Sequence, residues 1–172
     1  NFAHGEPCAI LLGDDFYLNC ETPATKQLID AYEKLGSSAT IVGVENLSKE
    51  KMTKKGMIVV KKGSTEVERI IEKPDIDSVV SELAISGRYI VVPELFLKLE
   101  KVTESVRGEI ELTDGLAELL KDKLTIHAHS IEGARIDVGN PTEYLIANLK
   151  YAMLDESVKK EVIKVIKSEL DN

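Results

Sequence analysis

Two aspartates, Asp14 and Asp15, stand at the end of a short apolar run, Cys8-Ala9-Ile10-Leu11-Leu12, with Gly13 between. Strand ends are where an open α/β sheet builds its ligand sites. A hard cation such as Mg²⁺ takes one or two protein carboxylates and completes its shell with phosphate oxygens, so this stretch can supply a first ligand. Gly13 lets the chain turn sharply, so that one carboxylate faces a crevice while its neighbour hydrogen-bonds the loop. A turn whose aspartates only cap backbone amides fits the same residues, and local sequence leaves both readings open. Asp137 poses the same choice. A short apolar strand delivers it to Gly139-Asn140-Pro141, a helix start, as a second metal carboxylate or as another capping aspartate.

Between these lies Ile70-Ile71-Glu72-Lys73-Pro74. Pro74 cannot donate to a sheet ladder, so the strand stops near Lys73 and leaves Glu72 and Lys73 at its terminus, as a site or as a surface ion pair of little energetic weight. In Gly108-Glu109-Ile110-Glu111-Leu112-Thr113-Asp114 the acidic residues run into a helix, where Thr113 and Asp114 are ordinary first-turn residues. His127 and His129 share one face of a strand, but no third ligand stands near them, which favours plain strand histidines over a metal site. Gly87 suits close approach of a ligand or of backbone, and Arg88 suits an anion contact or a simple surface charge.

The elements that carry these residues read as α/β. The first apolar run suits a strand buried on both faces. Thr22-Pro23 opens a helix with Leu28, Ile29, Tyr32 and Leu35 on one face and Gly36 at its end, and residues 38–44 form the next strand of a right-handed β-α-β unit. Two strands flank the turn at Lys62-Gly63-Ser64, another runs over 83–92, and Pro93 opens a helix with Leu95, Phe96, Leu99 and Val102 inside. After a strand over 124–131 come two helices, the second turning Val158, Val162, Val165, Ile166 and Leu170 inward, onto the domain or a partner subunit.

Composition sets the bounds. The 172 residues form one domain, with terminal helices over 141–172. A net charge of −8 with scattered lysines argues against nucleic-acid and membrane partners. Two cysteines, Cys8 and Cys20, make no disulfide framework and fit a reducing, cytoplasmic setting, and neither has a basic neighbour that would make it a nucleophile. The chain opens at Asn1 and enters an interior-type strand almost at once, which suggests the carboxyl-terminal portion of a longer protein.

Taken together, Leu11-Leu12-Gly13-Asp14-Asp15, Gln27-Leu28-Ile29, Ile71-Glu72-Lys73-Pro74, Leu83-Ala84-Ile85-Ser86-Gly87-Arg88-Tyr89, Gly108 to Asp114 and Asp137-Val138-Gly139-Asn140 closely resemble bacterial-type UTP–glucose-1-phosphate uridylyltransferases, in order and spacing, over nearly the whole chain. The resemblance implies a partial Rossmann-like nucleotide-diphospho-sugar transferase fold, a mixed, mostly parallel sheet flanked by helices. It implies formation of UDP-glucose and pyrophosphate from UTP and glucose 1-phosphate, with Asp14 and Asp137 holding Mg²⁺. Glu72 would bind sugar hydroxyls and Lys73 the sugar phosphate, Lys73 and Asp14 being the catalytic pair. Gly56 would present its backbone to the sugar, and Gly87 with the Glu109 segment would line the pocket. A homo-oligomer is expected.

The departures are specific. The glycine-rich, basic nucleotide loop of the family has no counterpart, Lys55 stands where an aromatic residue usually precedes Gly56, and Ser81-Glu82 replaces Ser-Asn. The chain alone is therefore expected to keep the metal and sugar-phosphate half of a site and to be inactive. Thymidylyl or guanylyl transfer, glycosyl transfer from a UDP-sugar, and a non-catalytic sugar-nucleotide-binding or assembly module are the competing readings.

Overall fold

The computed structural model of the chain describes residues 4–102, 108 and 110–170. It divides into two compact units, one built on the chain up to Leu12 and from Glu21 to Glu132, the other on Gly13–Cys20 and on the chain from Gly133 onward.

The first unit is organised by one long strand. β6 (Leu83–Val91) pairs along one side with β3 (Thr40–Asn46) and divides its other side between β4 (Gly56–Val60), at Leu83 and Ala84, and β1 (Cys8–Leu11), at Arg88 to Val91. The division falls at Gly87, whose φ of 71° is the left-handed region that glycine enters without steric cost, and whose carbonyl accepts from Leu12 N at 3.0 Å. Across the sheet the β3 register jumps between Val42 and Val44, a bulge opposite the same point. β5 (Val67–Glu72) pairs with β4, and β7 (Ile126–Ser130) runs parallel to β3.

β1, β3, β4 and β7 thus share one direction and β5 and β6 oppose them, giving a mixed α/β sheet. The first apolar run is not buried on both faces. β1 meets only β6, antiparallel, and its residues alternate between half-buried and exposed. The β-α-β unit is present in that β1 and β3 are parallel, but β6 lies between them.

Alternation along the strands splits the core into layers. α1 (Ala24–Lys34) lays Leu28 on Ile41 and Ile90. The neighbours Val42, Tyr89 and Val91 point to the opposite face, where they join Leu95 of α3 (Glu94–Leu99) and Leu116 and Leu119 of α4 (Leu112–Lys121). Each such fully buried side chain contributes roughly 1.5–3 kcal/mol. Met52 of the short α2 (Lys49–Met52) packs with Met57, Val79 and Ala84 in a separate cluster. Thr22 does not cap α1. Pro23 occupies the cap position, with no side-chain bond, and its carbonyl accepts from Gln27 N at 3.1 Å.

The second unit pairs β2 (Asp15–Leu18), a strand that the turn-like sequence around it conceals, with β8 (Ala134–Asp137), followed by α5 (Pro141–Ala152) and α6 (Glu156–Leu170). Asn140 caps α5, its Oδ1 accepting from Glu143 N at 3.0 Å with Pro141 at the first helical position. Of the α6 residues expected to face the domain or a partner subunit, Val162 is half-buried, and Val158, Val165, Ile166 and Leu170 are exposed in the single chain. Neither terminal helix buries a residue, and Tyr151 and Leu170 are 69% and 81% exposed.

Candidate active site: a carboxylate pair and a lysine clasp

In the second unit the two aspartates that sequence could not tell apart take opposite roles. Asp15, in β2, is buried in an ion pair with Arg135. Asp14, one residue earlier in the loop, is exposed. Its carbonyl accepts from Val138 N at 2.8 Å, extending the β2–β8 ladder by one step. That step brings Asp14 beside Asp137. A Cβ on Gly139 would sit 3.0 Å from Asp137 Oδ1 and 3.3 Å from Asp14 Oδ2, so the two carboxylates converge on one side of a residue that has no side chain. Asp137 Oδ1 also accepts from Gly139 N at 2.9 Å, and its Oδ2 from Arg135 Nη2 at 3.3 Å.

Two hard oxygen donors over a glycine fit Mg²⁺, which leaves the rest of its shell to water and phosphate. Among the described residues no three His, Cys, Asp or Glu side chains gather into a fuller metal cage. His127 and His129 do share a face of β7, where His127 Nδ1 bonds Thr65 Oγ1 at 3.0 Å and burial holds His129 below the usual histidine range.

In the first unit, Glu72 and Lys73 stand at the open end of the β4–β5 hairpin. Gly56 lies opposite Glu72, and Lys73 N donates to Lys55 O at 3.0 Å. Lys73 is held at φ 44°, left-handed for a residue with a side chain, immediately before Pro74. Gly56 leaves room for the carboxylate, because a Cβ there would meet Glu72 Oε2 at 3.0 Å, Thr113 Cγ2 at 3.1 Å and Ile85 Cδ1 at 2.9 Å. Burial and the neighbouring Glu111 charge push the Glu72 carboxyl above its ordinary range, against the pull of Thr113 and Lys73.

Lys73 Nζ lies 3.4 Å from Glu111 Oε1 and 3.6 Å from Glu72 Oε1, an ammonium clasped by two carboxylates. Glu111 caps α4, its backbone N donating to Asp114 Oδ2 at 3.0 Å. Gly87 is buried in β6, and Arg88 donates to the carbonyls of Leu12 and Gly87, so its charge is spent at least partly on backbone. Glu109 lies outside the described residues. Burial raises the Cys8 thiol, against a nucleophilic role.

Glu72, Lys73 and Gly56 therefore come together in one unit and Asp14 and Asp137 in the other. Two residues without an expected role join them, Glu111 and Arg135. Their spacing held the signal, since Glu111 precedes Asp114 by a capping-box interval and Arg135 precedes Asp137 by the two residues that share a strand face.

The chain belongs to the nucleotidyl transferase family, whose model matches residues 1–153. It is 39% identical over 169 residues to the UTP–glucose-1-phosphate uridylyltransferase of Staphylococcus haemolyticus, covering 96% of this chain and 57% of that protein. It is 37% identical to uridylyltransferase 1 of Staphylococcus saprophyticus, covering 97% of this chain and 58% of the relative. A solved UDP-glucose pyrophosphorylase complexed with UDP-glucose superposes with a TM-score of 0.80 at 30% identity, over 90% of this chain and 59% of that one. The UTP-bound enzyme of Acinetobacter baumannii gives 0.81 at 25%, over 96% and 57%. The chain thus spans somewhat more than half the length of these relatives.

Proposed function

We propose that the protein containing this chain transfers a uridylyl group from UTP to glucose 1-phosphate, giving UDP-glucose and pyrophosphate, with Mg²⁺ held by Asp14 and Asp137. The observation that carries the reading is the convergence of those two carboxylates over Gly139, where a Cβ would lie within 3.3 Å of both. Bound there, Mg²⁺ supplies charge neutralisation to phosphate oxygens.

The chain's own residues do the remaining work. Lys73 brings an ammonium to the sugar phosphate, and the clasp of Glu72 and Glu111 aims it when no phosphate is present. Glu72 accepts from sugar hydroxyls, its carboxyl raised by burial and by the Glu111 charge. Gly56 and Gly87 let backbone approach the sugar. In-line attack by a phosphate oxygen needs no general base, because the nucleophile is already anionic, so positioning and charge stabilisation carry the rate. The names of the staphylococcal relatives and of the UDP-glucose complex support uridylyl over thymidylyl or guanylyl transfer.

Calorimetric titration of the chain with UDP-glucose and Mg²⁺ tests the reading, repeated with Lys73→Ala and Asp14→Asn. Binding that weakens in both variants is the expected result. Binding of equal strength in wild type and both folded variants refutes the assignment of these residues.

A further inference from the structure

In the β2–β8 ribbon Asp15 stands directly opposite Asp137. Like charges in that relation destabilise a sheet unless a cation lies between them. Arg135, two residues before Asp137 on β8 and so on the same face, is that cation. Its Nη2 pairs with both, with Asp15 Oδ1 on one side and with Asp137 Oδ2 at 3.3 Å on the other. The side chains of Asp15 and Arg135 are 4% and 8% exposed, whereas that of Asp137 is 34% exposed. The buried pair is therefore the fixed part and Asp137 the part that is held. A guanidinium holds its nitrogens in one rigid plane, so a nitrogen shared by two carboxylates stays fixed between them, which a lysine ammonium on a flexible stem does less well.

We infer that Arg135, anchored by Asp15, is a positioning residue for Asp137: it fixes Oδ2 so that the carboxylate keeps Oδ1 turned toward Gly139 and Asp14, in the orientation needed to receive a divalent cation. The inference rests on the assignment of Asp14 and Asp137 as metal ligands. Without Arg135, rotation about the Asp137 side chain and repulsion from Asp14 and Asp15 would scatter the donors. Partners of metal-ligating carboxylates that do not themselves touch the metal typically alter affinity by about 10–100-fold.

The test is the affinity for Mn²⁺ alone, followed by electron paramagnetic resonance on the folded full chain. Arg135→Lys keeps the positive charge, so the electrostatic contribution to cation affinity is retained while the rigid guanidinium plane is lost, and Asp137→Asn serves as the ligand control. The expected result is Mn²⁺ binding to wild type that falls by about tenfold or more in Arg135→Lys. If Arg135 only supports the fold, Arg135→Lys lowers the unfolding midpoint yet the folded protein binds Mn²⁺ like wild type, which overturns the inference while leaving the metal assignment standing. No Mn²⁺ binding to wild type, or binding indifferent to Asp137→Asn, overturns the metal assignment itself and this inference with it. Should Arg135→Lys not fold, ¹⁵N resonances of the Arg135 guanidinium in the wild-type chain decide. They are expected to shift as Mg²⁺ is added, and guanidinium signals that do not move while the cation binds refute the role.

Discussion

Lys73 combines a backbone strain with the charge assigned to the sugar phosphate, and the two can be separated by comparing Lys73→Ala with Lys73→Gly. Its φ of 44° lies where an L-residue costs roughly 1–2 kcal/mol and glycine costs nothing sterically. Glycine in turn loses about 0.5–1 kcal/mol more conformational entropy on folding. Both variants lose the same exposed ion pairs to Glu72 and Glu111, so those contributions cancel in the comparison. The glycine variant should then be more stable than the alanine variant by up to about 1.5 kcal/mol. With a slope of about 2 kcal/mol/M, its urea midpoint should lie higher by up to roughly 0.7 M. Both variants should lose affinity for UDP-glucose alike. An alanine variant as stable as the glycine variant, or more so, refutes the strain, because at an ordinary β-region φ glycine would be the weaker residue. The expected pattern is stability surrendered at a position the site needs, which is where such conformations concentrate.

Gly115, inside α4, should not accept a methyl group. A Cβ there would lie 2.6 Å from Leu99 Cδ2 and 3.0 Å from Leu95 Cδ1. The overpacking costs about 1–3 kcal/mol and the gain in helix propensity returns about 1 kcal/mol, so Gly115→Ala should lower the unfolding free energy by up to about 2 kcal/mol. A rise in stability by chemical denaturation would contradict the packing described for α3 and α4. Glu72→Gln tests the raised carboxyl. Because burial and Glu111 raise its pKa in the folded state, Glu72 favours folding in acid and loses that contribution as pH climbs from the ordinary glutamate value, near 4.3, through the raised one. The stability of wild type relative to Glu72→Gln should therefore fall with rising pH across that window and level off above it. A pH series of urea melts in which the difference is constant, or rises, would show that Glu72 is not perturbed in this direction.

What the sequence determined is what neighbours within a few residues decide. Asn140 and Pro141 cap α5 because the bond that matters runs from Asn140 to Glu143, inside the same turn. Gly63 turns between β4 and β5, and β5 ends at Glu72 because Pro74 has no amide to continue the ladder. The family likeness of Asp14, Glu72, Lys73 and Asp137 was legible as spacing, and the mixed α/β sheet as a succession of patterns.

Only the tertiary structure decided partnership. Asp14 and Asp15 are the same residue type side by side, and what makes one exposed and the other buried is the pairing of β2 with β8, more than a hundred positions away along the chain. The clasp of Glu111 on Lys73 and the bridge of Arg135 between Asp15 and Asp137 are likewise contacts between distant segments. β1 carries the apolar run of a strand buried on both faces, yet meets only β6 and stays partly exposed, and α6 has an amphipathic stripe in which no residue is fully buried. A hydrophobic pattern states which face of an element prefers to be covered. Whether another segment arrives to cover it depends on the register and order of strands far apart in the chain, which no local preference encodes.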